Sequence, residues 1–460
     1  MKPTLDTRWR LVIDGNHAYV VRDADGRRIA ALTAPEAVAL GLMNGARTLT
    51  EVEEVLCLLI GKSGPGLLGS LLGRLMPLLA SGPIERQAPP ALEALAAVDP
   101  PDTREGLRAL PGPRTLHWWV TSYCPRRCVY CFAQPRFGPQ APDATLPRER
   151  LRELFREAAE LGAENLLVAG AEPLLRPDLP EVMGDAAHVG ILPLLTTKHP
   201  ISRSLADRLA TAGVRHISLS LDTMDPDGSH TIVGSAAWPG QARRSASALR
   251  AAGVAFSIQA VASRLSVMTL EGVARLAAEA GAMVMQVVPF EPVARPITSL
   301  GNDEMRLTDP AGLDDEIARL QAAFPGIRIE KFEELGSGAR AGVQCDIGIT
   351  KLFFLPDGVV HRCYKLTRDA TLCGKDLKHV SVAEAWHDPG FAPVISPPRE
   401  AYAGSSCHAC SRFDSCHADG RCIYTARQDH GRYHAPDRPC GGPFTDPGAP
   451  VPVRLLAPSG

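Results

Sequence analysis

An α/β chain organised around a parallel sheet is the fold class this sequence predicts, and three observations predict it. Five times a helical stretch ends on a glycine and passes directly into an apolar β run, at Leu161-Gly162, Val189-Gly190, Ala212-Gly213, Ala252-Gly253 and Ala280-Gly281. Glycine closes a helix in the left-handed conformation at little steric cost. The helix before Gly162 repeats its apolar residues Leu151, Leu154, Phe155, Ala158 and Leu161 at the 3.6-residue period. With Leu116–Val120 as the opening strand, about six strands alternate with helices, which builds a parallel sheet, either barrel-like or doubly wound. Functional groups then belong in the loops at the strand C-termini.

Residues 1–85 form a smaller unit. Trp9–Ile13 and His17–Val21 are short β runs around the Asp14-Gly15-Asn16 turn, and Asp23–Gly26 makes a second turn before Arg28–Leu32. Thr33 as N-cap, Pro35 just inside and Glu36 three residues on start a helix that Asn44-Gly45 ends; Thr48–Ile60 is another. Strands followed by short helices suggest a winged-helix-like domain. Residues 86–114, rich in Pro and Ala, read as a linker. The alternating domain occupies 115–290. Over 291–441 only Asp314–Ala323 has clear helical patterning. The remainder is cysteine-rich and interrupted by Gly and Pro, with little core of its own, so metals are expected to support its folding. Residues 442–460 read as a flexible tail.

The 460 residues carry 49 Lys+Arg against 51 Asp+Glu, a net charge of −2. That balance argues against nucleic acid or an anionic membrane as a partner held by bulk charge. The most apolar segment, Val55–Leu79, is broken by Lys62 and Arg74 and falls short of a membrane span. Met1–Asp6 holds no apolar signal core, so a cytoplasmic location is expected. Twelve cysteines in a reducing compartment point to metal or redox chemistry before disulfides.

Cys124, Cys128 and Cys131 lie directly after the first strand of the alternating domain. Three thiolates on a four-iron cluster leave one iron open to bind and activate a ligand. A zinc loop short of a fourth ligand is the competing reading. The CxxxCxxC spacing, with the aromatic Tyr130 before the last cysteine, resembles the radical S-adenosylmethionine (SAM) superfamily. The resemblance implies a partial (β/α)6 barrel and a 4Fe–4S cluster whose open iron holds SAM. It further implies a 5′-deoxyadenosyl radical that abstracts hydrogen from an unactivated carbon. Gly170 and Glu172, in Ala169-Gly170-Ala171-Glu172-Pro173, resemble the family's loop at the methionine amino group. Ser220 and Asp222, two apart at the end of the fourth strand, resemble residues near the SAM carboxylate and ribose. An arginine often found a dozen residues later is absent. Thr197, Lys198 and Gln259 are weaker candidates that read first as a polar rim.

The later cysteines, Cys345, Cys363, Cys373, Cys407, Cys410, Cys416, Cys422 and Cys440, resemble the SPASM extension of radical SAM peptide maturases. The resemblance implies two auxiliary 4Fe–4S clusters, one on Cys407, Cys410, Cys416 and Cys440. The other would rest on Cys345, Cys363 and Cys422, with Cys373 as the applicant for its fourth position. A pair of zinc sites is the alternative. Asp346 and Tyr364, each beside a cluster cysteine, are candidates for a catalytic base. Residues 1–85 are similar to the peptide-binding domain of the pyrroloquinoline-quinone chaperone type, which captures a leader peptide by strand addition. The expected function is radical-based modification of a ribosomally made precursor peptide, with flavodoxin or ferredoxin as electron donor. The competing substrates are a folded protein or a tetrapyrrole. The competing non-enzyme is a zinc-ribbon binding protein on an inactive barrel.

Overall fold

The computed structural model describes residues 3, 5–6, 9–14, 17–22, 28–32, 34–45, 47–60, 68, 71–72, 75, 78–79, 110, 112–133, 135–136, 145–293, 300–309, 312–332, 345, 347–391, 397–414, 421–437 and 440. Asp346, Cys416, Thr33, nearly all of the 86–114 linker and the 442–460 tail lie outside the described residues.

The N-terminal unit is an antiparallel meander of β1 (Trp9–Asp14), β2 (His17–Arg22) and β3 (Arg28–Leu32), followed by α1 (Ala34–Leu42) and α2 (Leu49–Ile60). A reciprocal cap opens α2. Thr48 N–H donates to Glu51 Oε2 at 2.7 Å, and Glu51 N–H donates back to Thr48 Oγ1 at 3.3 Å.

The alternation read from the sequence is the architecture of the central domain. Strands β4 (Thr115–Trp119), β5 (Asn165–Ala169), β6 (Leu192–Thr197), β7 (His216–Ser220), β8 (Ala255–Ala262) and β9 (Val284–Pro289) pair in parallel and in chain order. Between them run α3 (Arg148–Glu160), α4 (Leu179–His188), α5 (Arg203–Thr211), α6 (Pro226–Val233), α7 (Trp238–Ala251) and α8 (Leu270–Ala280). All five glycines at the helix ends have positive φ, from 73° at Gly253 to 94° at Gly162. This is the partial (β/α)6 barrel.

Sequence periodicity missed the continuation of the sheet at both edges. After α9 (Gly312–Ala323), β10 (Arg328–Lys331) adds in parallel to β9. On the other side β11 (Lys351–Phe354) pairs in parallel with β4, and β12 (Val359–His361) and β13 (Cys373–Asp376) follow antiparallel. The stretch beyond residue 290 has little core of its own, because much of it shares the core of the barrel. Leu352, Phe353, Phe354, Val360, Leu377, Val382, Ala385 and Trp386 are buried in the same core as the barrel. Among the described residues, small separate cores lie around Cys363 with Tyr424 and around Tyr402 with Phe413.

Strand alternation splits the sheet into two faces. Ile217, Leu219, Ile258 and Met285 pack under the helices. Register places Ser218 beside Thr196 and Ser257, and Gln259 between Ser220 and Gln286. This part of the inner wall, from Thr196 of β6 to Gln286 of β9, is thus polar, unlike the bulky apolar layers that fill a closed barrel. The N-terminal unit sits at the foot of this barrel. Leu192 belongs to its core, with Ala255 and Met283 against it, and Asp6 lies 3.7 Å from Arg215. These residues mark the starts of neighbouring strands, at the end opposite the functional loops. Among the described residues no helix is long and apolar enough to cross a membrane.

Candidate active site at the barrel mouth

The loops after β4 and β5 are joined along their backbones. Val120 N–H donates to Ala169 O (3.0 Å), Ala171 N–H to Thr121 O (3.1 Å) and Glu172 N–H to Tyr123 O (3.0 Å). Gly170 makes this approach possible. Its φ is +116°, and a Cβ there would stand 3.0 Å from Thr121 O and 3.1 Å from Val120 N. The flanking alanines at 169 and 171 leave that contact intact.

The cysteine loop is tied to the end of α6, where Arg127 N–H and Val129 N–H reach Val233 O (3.1 Å) and Ile232 O (2.9 Å). Cys131 N–H donates to Cys128 O at 3.0 Å. Cys128 is buried, while Cys124 and Cys131 are half-buried. Burial pushes the Cys124 thiol up to about 12 and the Cys128 thiol higher still, and the neighbouring cysteines add to both shifts. Thiols so placed give up their protons readily only to a compensating cation. This donor set fits an iron–sulfur cluster. Among the described residues no three His, Cys, Asp or Glu side chains converge closely enough to chelate one ion. A cluster makes no such demand, since its ligands attach to different metal atoms.

Two buried carboxylates stand behind the loop. Glu172 caps the short turn Pro173–Leu175, accepting from Leu174 N–H at 3.2 Å. It also accepts from Thr197 Oγ1 (2.6 Å) and from Lys198 N–H (3.1 Å). Burial raises its pKa, and these hydrogen bonds oppose the rise. Asp222 accepts from Tyr130 Oη at 2.6 Å and from Val261 N–H at 2.9 Å, and Lys198 Nζ lies 3.2 Å from it. Thr197 and Lys198 are therefore interior members of the site and not a polar rim. Arg126, unremarked in the sequence, is also buried here. Its guanidinium lies 4.7 Å from the Trp238 ring centre and donates to Gln241 Oε1 at 2.8 Å. A charge requirement offered a clue to Arg126: a thiolate cluster favours cations nearby, and this one lies between two of the cysteines. Ser220 is half-buried, and its carbonyl accepts from Trp238 Nε1 at 3.1 Å. On the inner wall Ser218 Oγ is buried with no hydrogen-bond partner among the described residues, a polar atom available to a bound molecule.

In the C-terminal region the structure brings Cys363 within electrostatic reach of Cys422, and Cys407 within reach of Cys440. Burial drives the Cys363 thiol up to about 12. Cys345 and Cys410 are half-buried. Cys373 sits on β13 opposite His361; burial raises its thiol, Asp357 and Asp369 add to the rise, and Arg362 opposes it. Tyr364 joins the two regions. Its ring meets that of Phe132, next to Cys131, at 5.5 Å, and that of His117 at 5.4 Å. Lys365 Nζ lies 6.0 Å from the Phe132 ring centre and 5.3 Å from that of Tyr424.

A three-cysteine loop and a buried acidic network at the mouth of a (β/α)6 barrel define the class. Residues 120–272 match the radical SAM superfamily, and this segment is a radical SAM domain. The chain is similar to the PqqA peptide cyclase of Xanthomonas campestris pv. campestris (strain B100), at 31% identity over 39% of this chain and 48% of that one. It thus spans about half the length of that relative. The PqqA peptide cyclase of Streptomyces rochei is 26% identical over 72% of this chain and 90% of its own. Among solved structures, Streptococcus suis SuiB bound to S-adenosylmethionine superposes with a TM-score of 0.58 at 18% identity, covering 95% of this chain and 99% of that one. The anSMEcpe enzyme with bound AdoMet gives 0.50 at 15% identity, over 70% and 93%. At these identities the likeness to solved structures concerns the fold.

Proposed function

We propose that the chain is a radical SAM maturase that modifies a ribosomally made precursor peptide. The observation that carries this reading is the Cys124–Cys128–Cys131 loop, laid beside Glu172 and Asp222 at the strand C-termini of the radical SAM domain. Cys124, Cys128 and Cys131 would hold the barrel cluster, and Gly170, Glu172, Ser220 and Tyr130 would surround SAM. Asp222 belongs to the same cluster of residues, in contact with Tyr130 and Lys198. When bound, cluster and SAM supply reductive cleavage of the sulfonium bond and a radical able to take a hydrogen atom. Glu172, with one oxygen committed to two donors and the other to one, is fixed in place to receive an amino group. The polar part of the inner wall, where Ser218 Oγ has no partner among the described residues, suits a peptide's amide groups.

Residues 291–441 would form the SPASM-type region. The Cys363–Cys422 and Cys407–Cys440 proximities support the division into one cluster on Cys345, Cys363 and Cys422 and another on Cys407, Cys410, Cys416 and Cys440. Cys373 or a non-cysteine group completes the first. Tyr364, packed between the two regions, is the better placed of the base candidates; Asp346 lies outside the described residues. Residues 1–85 would receive the leader; the names of the PqqA peptide cyclase relatives support a peptide as the substrate. A flavodoxin or ferredoxin would deliver electrons, in the cytoplasm. The test is to incubate the reconstituted chain with SAM, reductant and short peptides encoded beside its gene. A peptide that loses two hydrogens, read by mass spectrometry, supports the reading. Turnover of a folded protein or a tetrapyrrole, with every such peptide unchanged, would replace it.

A further inference from the structure

We propose that Asp222 is a positioning residue that staples the cysteine loop to the barrel, and that its carboxylate is largely consumed in that task. The inference concerns a site whose chemistry rests on the radical SAM reading, but the staple itself is a property of the folded chain. Three elements meet at this one carboxylate. Tyr130, between Cys128 and Cys131, donates its phenol to Oδ2 at 2.6 Å. Lys198, just past the end of β6, places Nζ 3.2 Å from the same oxygen. Val261 of β8 donates its N–H to Oδ1 at 2.9 Å.

Each partner has a physical need for the others. The Asp222 side chain is 1% exposed and that of Lys198 10%, so each buried charge requires its counter-charge. Tyr130 carries its hydroxyl indoors, where a phenol without an acceptor is costly and a carboxylate acceptor gives a short, charge-assisted bond. A carboxylate offers about four acceptor sites, and three are taken here. Lys198 extends the tie, because its own N–H is held by Glu172 and its ammonium lies 5.4 Å from the centre of the Tyr130 ring. The loop between Cys128 and Cys131 is thereby referenced to β6, β7 and β8 at once. Such support is what a three-ligand site needs if its ligands are to keep their spacing without a fourth.

The experiment uses hydrogen exchange by mass spectrometry on the full-length chain, metal-free and anaerobically reconstituted, with Tyr130→Phe, Asp222→Asn and the double variant. In the native state, exchange of the Val129 and Cys131 amides reports opening of the loop. Each single variant is expected to speed exchange over residues 124–133 about tenfold, and the double variant no more than the faster single one. SAM affinity, measured by equilibrium dialysis at matched iron content, is expected to fall no further in Asp222→Asn than in Tyr130→Phe, as the loss of one shared tie requires. Unchanged loop exchange in both single variants, or a tenfold loss of SAM affinity in Asp222→Asn with a quiet loop, would make Asp222 a ligand contact and overturn the proposal. Tyr130→Phe removes a single hydroxyl and keeps the test alive if Asp222→Asn does not fold. Because the metal-free chain reports the staple without a cluster, absence of bound iron would count against the functional reading alone.

Discussion

Glu53 in α2 accepts two hydrogen bonds of 3.0 Å from Arg328 at the start of β10, across 275 residues of chain. Both side chains are mostly buried, at 17% and 12% exposure. Arg328 also donates to Glu330 at 2.6 Å, and Glu330 accepts from Gln286 Nε2 at 3.3 Å. Burial raises the Glu330 carboxyl, with Arg328 opposing the rise. The N-terminal unit is thus tied through a charged chain to the inner wall of the barrel.

Arg328→Met should leave two carboxylates buried without their cation. A loss of about 3 kcal/mol is expected, with the amides of α2 exchanging faster than those of β4 and β5. A urea midpoint equal to that of the parent chain would show that the tie carries no stability. Deleting residues 1–85 bares Leu192 and Ala255, so a soluble, active truncation is not the expected outcome.

Glu172→Gln tests the carboxylate behind the loop. One amide oxygen can still accept from Leu174 N–H and Thr197 Oγ1, but the amide nitrogen would then face Lys198 N–H, donor against donor. A cost of about 1–3 kcal/mol follows. Faster hydrogen exchange at the Lys198 amide is the direct check.

Cysteine alkylation tests the loop's electrostatics. Burial holds Cys124 up to about 12 in the chain without a cluster, so its thiolate is scarce at neutral pH. Its reaction with iodoacetamide should be slow at about pH 8 and climb roughly tenfold per pH unit as the thiolate fraction grows. A rate that levels off above about pH 9.5 would contradict the burial, since that is the behaviour of an ordinary exposed cysteine with a pKa of about 8.5.

Much of the site was legible in the sequence because it is written locally. The five glycines that end helices needed positive φ, and the spacing of Cys124, Cys128 and Cys131 is a motif within one loop. Gly170 was legible through the family resemblance of its loop, and the structure adds the reason, a backbone approach that leaves no room for a side chain. What was not legible depends on distant pairing. Lys351–Phe354 carries no period that distinguishes a strand closing on β4 from any buried run, and Arg328 gives no local sign that its partner is Glu53. Lys198 reads as a rim residue until the fold sets Asp222 beside it.

Metal content separates iron from zinc in the C-terminal region. Three four-iron clusters would give about twelve irons per chain, against about four irons and two zincs if the later cysteines hold zinc. Cys410→Ala is expected to lose about four irons while the barrel cluster remains. Two tightly bound zincs in anaerobically purified protein would make the region a structural clamp.

The central claim is tested most directly by 5′-deoxyadenosine itself. The reconstituted chain, given SAM and a strong reductant without any peptide, should release it, and Cys128→Ala should abolish the release by removing one of three cluster ligands. Release that is absent from the iron-loaded parent chain, or that persists unchanged in Cys128→Ala, would contradict the assignment of radical chemistry to this loop.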